Sequence, residues 1–575
     1  MSSSNGEAPD AVEPRVPKNE WTIMIFFAGD PHLSPSMTAQ LKAIKDAGFQ
    51  ENVSVLVHYD PNEKGVAVTT FDINSKRKKD LLDKGLVGTK IGDGRDPYVR
   101  NLLEDAISGA GALRANTADQ ALRAFLDIGA TEKYRAKHYM IFLVGHGVIV
   151  GNDTFLPDSN PQSGISLEQL GDTLRHFQGS IPEDSVFELL GLHSCSMSAI
   201  EVIYELKDTA RYMMATEGTS FVASWPYRQL LKRILNEIDE AKKEDANAEI
   251  NVDELITSIH NLSLHNSTDF MFSGLSADLC LSSLDKDRVQ TLTTPMENLT
   301  KALKRALKTP DGWDARERNN GNVVKKDWRS VELIKLAHLE AQSFYQETST
   351  DLYDFCLCLA RRCDERDEIQ NAMKVACSNV IEKLEETPQS VIVHSDHFGP
   401  QSQYSHGLSI FFPWARPVQE EPLVLDDNML SRYEKYDFNK ALGKNSWLSF
   451  LDDYFTATQR KTREEEDGKP IEKLISENGI HLSAIGERMA AIVDALAKDS
   501  PGLAKDSPGL AKDSPGLTKD SPGLKDGCGC IVKNYPTQFS ISERVIRDPN
   551  PKATAKEEAE VAKLAEEKAV APTRP

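Results

Sequence analysis

Short unbroken apolar runs alternate with amphipathic stretches from residue 20 to about 225, the pattern of strands buried on both faces of a sheet and of helices that cover it. Residues 139–144 (Tyr-Met-Ile-Phe-Leu-Val) and 186–191 (Val-Phe-Glu-Leu-Leu-Gly) are short, and rich in branched and aromatic side chains. Both predict buried parallel strands, and 212–215 a further one. Helical spacing over 36–47, 118–128 and 167–177 supplies the crossovers of successive βαβ units.

From 228 to 300 the pattern turns helical, with amphipathic stretches at 229–235 and 252–264, before 278–284 predicts a strand returning to the sheet. Residues 309–330, rich in Gly, Asn and charge, predict a surface loop, helices follow through 385, and 390–394 with 407–413 predict a late hairpin. The fold class expected is therefore α/β, a mostly parallel sheet flanked by helices, with a helical C-terminal elaboration that returns strands to it.

Beyond residue 455 the character changes. Residues 497–525 repeat Ala-Lys-Asp-Ser-Pro-Gly-Leu, and a Pro and a Gly in each unit forbid a helix, so this is a linker. The divisions expected are 1–19, a disordered arm; 20–227, the core; 228–455, the elaboration that completes the domain; 456–496, a linker and amphipathic helix; 497–525, the repeat linker; and 526–575, a low-complexity tail.

Each of the two strands before residues 146 and 195 delivers a reactive side chain to the carboxyl edge of the sheet, where open α/β folds bind ligands. Val144-Gly145-His146-Gly147 follows one, and Leu192-His193-Ser194-Cys195-Ser196-Met197 the other. His before Cys, 49 positions apart, matches the spacing of caspase-type cysteine peptidases. The segments 21–30, 53–60, Cys195-Ser-Met-Ser-Ala-Ile-Glu-Val202, 212–217 and Gly407-Leu-Ser-Ile-Phe-Phe-Pro413 come in the order of the clostripain family, and the chain resembles those caspase-like endopeptidases over roughly residues 20–455.

Thiol hydrolysis of a peptide needs a nucleophile, a base and donors for the oxyanion. Cys195 supplies the thiol and His146 the base. The backbone N–H groups of Gly147 and Cys195 are the expected oxyanion donors, the role they have in the caspase-like clan. His193 shares a strand face with Cys195 and is a rival base. The family usually has Asp at that position, associated with a basic S1 pocket, so the resemblance makes His193 a pocket residue. Where the family commonly has Trp-Asp-Tyr, this chain has Trp225-Pro226-Tyr227. Glu217 is left as an acid near the pocket or a solvated loop acid, and Trp225 as an apolar wall or a core residue. With two family acids replaced, no strict Arg or Lys requirement at P1 is expected. An inactive homologue serving as a protein-binding scaffold, and another thiol hydrolase on the same fold, are the alternatives.

A net charge of −21 argues against nucleic acid or an anionic membrane and favours a protein or peptide substrate, while the oligomeric state stays open. With no run long enough to span a bilayer and a polar first twenty residues, the expected location is the cytoplasm. Eight cysteines form no secreted disulfide framework, which agrees with a reducing compartment. Cys356, Cys358 and Cys363 in a helical stretch do not make a zinc site, and Cys528 and Cys530 lie in the tail. No cofactor is expected. Calcium dependence occurs in some members of the family, and Asp30, Asp153 and Asp158 offer oxygen ligands without EF-hand spacing. No Lys or Arg lies between Gly147 and Leu174, so self-cleavage after a basic residue there is excluded.

Overall fold

The computed structural model describes residues 17–465 except 30–32, 46, 48–49, 61–67, 74–116, 148–154, 160–161, 223, 245–249, 266–275, 309–329, 345–347, 388, 400 and 415–428. Its centre is an eight-stranded sheet formed by β1 (Asn19–Phe27), β2 (Val53–Tyr59), β3 (Thr69–Asp72), β4 (Ala136–Val144), β7 (Val186–His193), β8 (Tyr212–Ala215), β9 (Ala277–Ser283) and β12 (Ile392–Phe398). The order is β12-β9-β8-β7-β4-β1-β2-β3. The five strands from β8 to β2 run parallel, while β3, β9 and β12 join antiparallel at the two sides. β5 (Phe155–Ser159) and β6 (Gln162–Ile165) make a separate hairpin.

Alternation along the central strands feeds two cores. Met24, Phe26, Ile141, Leu143, Leu190 and Leu192 face the helices Ala118–Gly129, Leu167–Ser180 and Ile200–Leu206. Ile23, Ile25, Met140, Phe142 and Val144 face Tyr227–Glu244 and Val252–His265. Each such side chain taken fully from water is worth about 1.5–3 kcal/mol, and residues buried on both faces explain why these strands read as unbroken apolar runs.

The returning strand is present as β9, antiparallel to β8. The late hairpin is not. β12 pairs with β9, and the 407–413 segment gives β13 (Ser409–Phe411), which joins β10 (Ser343–Phe344) and β11 (Ser349–Asp351) in a separate three-stranded sheet. Two apolar runs divided by turn-forming residues satisfy the local hairpin rule, but the partners that bury them lie elsewhere in the chain. The helix Trp447–Glu465 also runs through the division drawn at 455, with Phe450, Leu451, Tyr454 and Phe455 packed on the helical layer. The repeat linker, the tail and almost all of the 309–330 loop lie outside the described residues.

Candidate active site

β4 and β7 end side by side. Their register pairs Val144 with His193, and the Gly145 N–H continues it to the His193 carbonyl at 3.4 Å. His146 and Cys195 therefore leave the sheet at the same level on neighbouring strands, both nearly buried. A Cβ built on Gly147 would overlap the carbonyl oxygen of Cys195, so this apposition requires glycine there.

The turn after Cys195 is held from two directions. Ser196 adopts φ +55°, a left-handed conformation that costs an L residue roughly 1–2 kcal/mol. Its N–H donates to the Gly218 carbonyl at 3.0 Å, and its hydroxyl to that of Glu217 at 3.3 Å. The Ser198 N–H donates to Thr216 at 2.8 Å, the Ser198 hydroxyl to the Gly407 carbonyl at 2.5 Å, and the Ser409 N–H to the Ser198 carbonyl at 3.0 Å. The sulfur itself takes part: the Ser220 N–H points at Cys195 Sγ at 3.4 Å, and the Ser220 carbonyl lies 3.5 Å from it.

Glu201 anchors the short helix that follows. One of its oxygens accepts from the Phe411 N–H at 3.1 Å and the Tyr433 hydroxyl at 2.6 Å, while burial pushes the carboxyl up to about 7. Two sequence segments that carry the family resemblance, around Cys195 and around Gly407, thus meet in space.

His193 lies beneath this surface. Its Nε2 faces the Phe221 carbonyl at 2.7 Å, which can only accept, so Nε2 carries the proton and Nδ1 accepts from the Tyr227 hydroxyl at 2.9 Å. Burial pushes the imidazole down to about 3. The ring stacks on Trp225 at 4.3 Å, and the Trp225 indole packs edge-on to Phe142, where Gly191 leaves the space. Trp225 is buried as core and also borders a cavity of about 20 Å³ with Thr216, Ser220, Ser224 and Asp278. A far larger open cleft, about 970 Å³, lies by Arg211, Asp253 and His394 at the amino-terminal edge of β8, the wrong edge for Cys195.

Glu217 is fully buried, which replaces the reading of a solvated loop acid. Its Oε2 accepts from the Gly407 N–H at 2.9 Å. Burial first, then the facing carboxyls of Asp351 and Asp278, push it well above the usual carboxylate range. Asp278, Ser220 and Gly407 escape sequence reasoning as site residues. An acid heading the apolar run 278–284 is the one signal for Asp278, whereas Ser220 acts through its backbone and leaves no residue-type trace.

Among the described residues no group of three or more His, Cys, Asp or Glu is placed to hold a metal ion. Asp30 and Asp153 lie outside those residues, and so do Cys528 and Cys530. Cys195, Cys280, Cys356, Cys358, Cys363 and Cys377 are free thiols.

Among solved structures the chain is similar to iotapain, a secreted C11 cysteine protease from Bacteroides thetaiotaomicron, at 14% identity over 74% of this chain and 99% of that one, with a TM-score of 0.46. An inactive zymogen C11 protease from Parabacteroides distasonis matches at 14% identity over 74% and 99%, with a TM-score of 0.40. A secreted C11 cysteine protease from Bacteroides thetaiotaomicron in complex with an irreversible peptide inhibitor matches at 11% over 76% and 99%, with a TM-score of 0.40. No curated protein matches the sequence. The comparisons give the cytoplasmic location expected from the sequence no support: two of these proteases are described as secreted. Among the described residues no helix is long and apolar enough to cross a membrane. The model of the clostripain family matches residues 26–454, most of the chain, and the protein therefore belongs to the clostripain family of cysteine peptidases.

Proposed function

We propose that the protein is an endopeptidase in which Cys195 is the nucleophile and His146 the base. The observation that carries this reading is the β4–β7 register, which delivers both residues to one level of the carboxyl edge with Gly147 against the Cys195 backbone. Cys195 Sγ attacks the scissile carbonyl as its proton passes to His146, and the N–H groups of Gly147 and Cys195 receive the oxyanion. His146 then protonates the leaving amine. In the second half it takes a proton from water, which attacks the thioester and frees the carboxylate product and the thiol.

His193 is unsuited to this work, since both its nitrogens are engaged and it stays neutral at physiological pH. Both Asp278 oxygens and the Oε2 of Glu217 accept backbone N–H groups, and burial pushes the Glu217 carboxyl toward its neutral form, which supports a P1 pocket without a strict demand for Arg or Lys. Peptide acyloxymethyl ketones with varied P1 side chains test both points. Labelling is expected on Cys195 by peptide mapping, absent in Cys195→Ala, and spread over uncharged P1 residues. No labelling at Cys195 overturns the catalytic reading, and labelling by Arg and Lys probes alone overturns the pocket reading.

A further inference from the structure

The segment 216–220 touches the nucleophile's turn repeatedly, and the Ser220 carbonyl accepts from the Cys195 thiol at 3.5 Å among these contacts. Thr216, Glu217 and Gly218 give their carbonyls to Ser198 and Ser196, and Ser220 gives its N–H to the Cys195 sulfur. A hydrogen bond donated to sulfur favours thiolate over thiol, since the charged form is the better acceptor. The reactivity of Cys195 thus depends on where this segment is held.

What holds it is Asp278. The carboxylate, at the head of β9, accepts the Glu217 N–H at 2.5 Å and the Gly218 N–H at 3.1 Å, two consecutive donors on the strip of backbone whose carbonyls point at Ser196. Asp278 is 3% exposed, so water does not substitute for it. A buried acid is costly unless its oxygens are satisfied, and here the satisfying donors are the backbone that meets the nucleophile.

We infer that Asp278 is a positioning residue for catalysis, which fixes segment 216–220 so that the Ser220 N–H stabilises the Cys195 thiolate. It touches neither substrate nor sulfur. The inference rests on Cys195 being the nucleophile, and it assigns the activation of that thiol in part to a carboxylate 83 positions further along the chain. The same arrangement explains why Ser196 keeps its left-handed conformation: the carbonyls that receive its N–H and hydroxyl belong to the two residues Asp278 grips.

The test uses the full chain and Asp278→Asn, which keeps the side-chain shape and one acceptor oxygen. The rate of iodoacetamide alkylation is followed at each cysteine from pH 5 to 10 by mass spectrometry, with kcat and KM for a peptide substrate and the melting temperature measured in parallel. Loss of one hydrogen bond to a charged group is worth about tenfold. The expected result is therefore an upward move of the Cys195 alkylation midpoint by about one pH unit, a kcat lowered about tenfold or more, and little change in KM or melting temperature. A folded Asp278→Asn protein with wild-type alkylation and kcat overturns the inference.

Should Asp278→Asn not fold, Asp278→Ser decides, because the smaller neutral side chain fits the same buried place and removes the carboxyl grip on the Glu217 and Gly218 N–H groups. Slower Cys195 alkylation by several-fold is then expected, and an unchanged rate overturns the inference. If Cys195 in the wild-type protein does not react with a peptide acyloxymethyl ketone, the catalytic reading itself fails. Reaction there with no effect of the variants removes the role of Asp278 alone.

Discussion

The backbone of Gly147 rests against that of Cys195 so closely that the carbonyl oxygen of Cys195 occupies the place where a side chain at 147 would begin. Gly147→Ala must push β4 and β7 apart at their carboxyl ends. Peptidase activity is expected to fall at least about a hundredfold, in line with the sensitivity of rates to misplacement of about 1 Å. Steady-state kinetics with the melting temperature checks this; near-normal kcat/KM in Gly147→Ala contradicts the geometry.

Members of one catalytic unit do not add. Cys195→Ala and His146→Ala are each expected to abolish measurable turnover, and the double variant to lose little more. Both changes remove few core contacts, so far-ultraviolet circular dichroism and melting should stay near wild type. Normal turnover by His146→Ala alongside a dead His193→Ala would exchange the two histidines' roles.

For His193 the expectation is structural. His193→Gln loses the stack on Trp225 and part of the bridge between Phe221 and Tyr227, and should cost about 2–4 kcal/mol at pH 7.5. The histidine's own folded pKa is depressed from 6.5 to about 3, so its contribution to stability is present above 6.5 and is lost as pH falls toward 3. The variant's deficit in urea unfolding should therefore narrow between pH 7 and 4.5, while the acid limb of its pH–rate profile stays where the wild type has it. A shifted limb would implicate His193 in proton transfer.

Glu201 carries the opposite sign. Its folded pKa is raised from 4.5 to about 7, so the stability it confers is full below 4.5 and is lost as pH rises through 7. Glu201→Gln cannot ionise, and it should gain on the wild type across that window by a few kcal/mol, on the order of 3 from the size of the shift. Thermal unfolding at pH 4.5 and pH 8 measures the difference, and a constant offset between the two proteins refutes it.

The two strands that present His146 and Cys195 were legible because a strand covered on both faces is apolar throughout, and the reactive residue marks its end. Pairing was less legible. Residues 407–413 look like the second arm of a hairpin, yet Phe411 spends its N–H on Glu201, and β12 finds its partner in β9, more than a hundred positions back. Periodicity reports how a strand is covered, not which strand lies beside it. The charge on Glu217 argued equally for a pocket and for solvent because its actual partner, the Gly407 N–H, lies 190 positions away.

The closure of Gly407 and Phe411 onto Ser198 and Glu201 also sets an order of events during synthesis. At about 5–20 residues per second, the ribosome needs roughly 10–40 seconds after Cys195 to reach Phe411. Throughout that interval the nascent chain holds both His146 and Cys195 but lacks the partners that fix the turn after Cys195 and satisfy Glu201. A chain ending before Gly407 would carry His146 and Cys195 without these contacts, so the turn after Cys195 takes its final form only once Gly407 and Phe411 have been made.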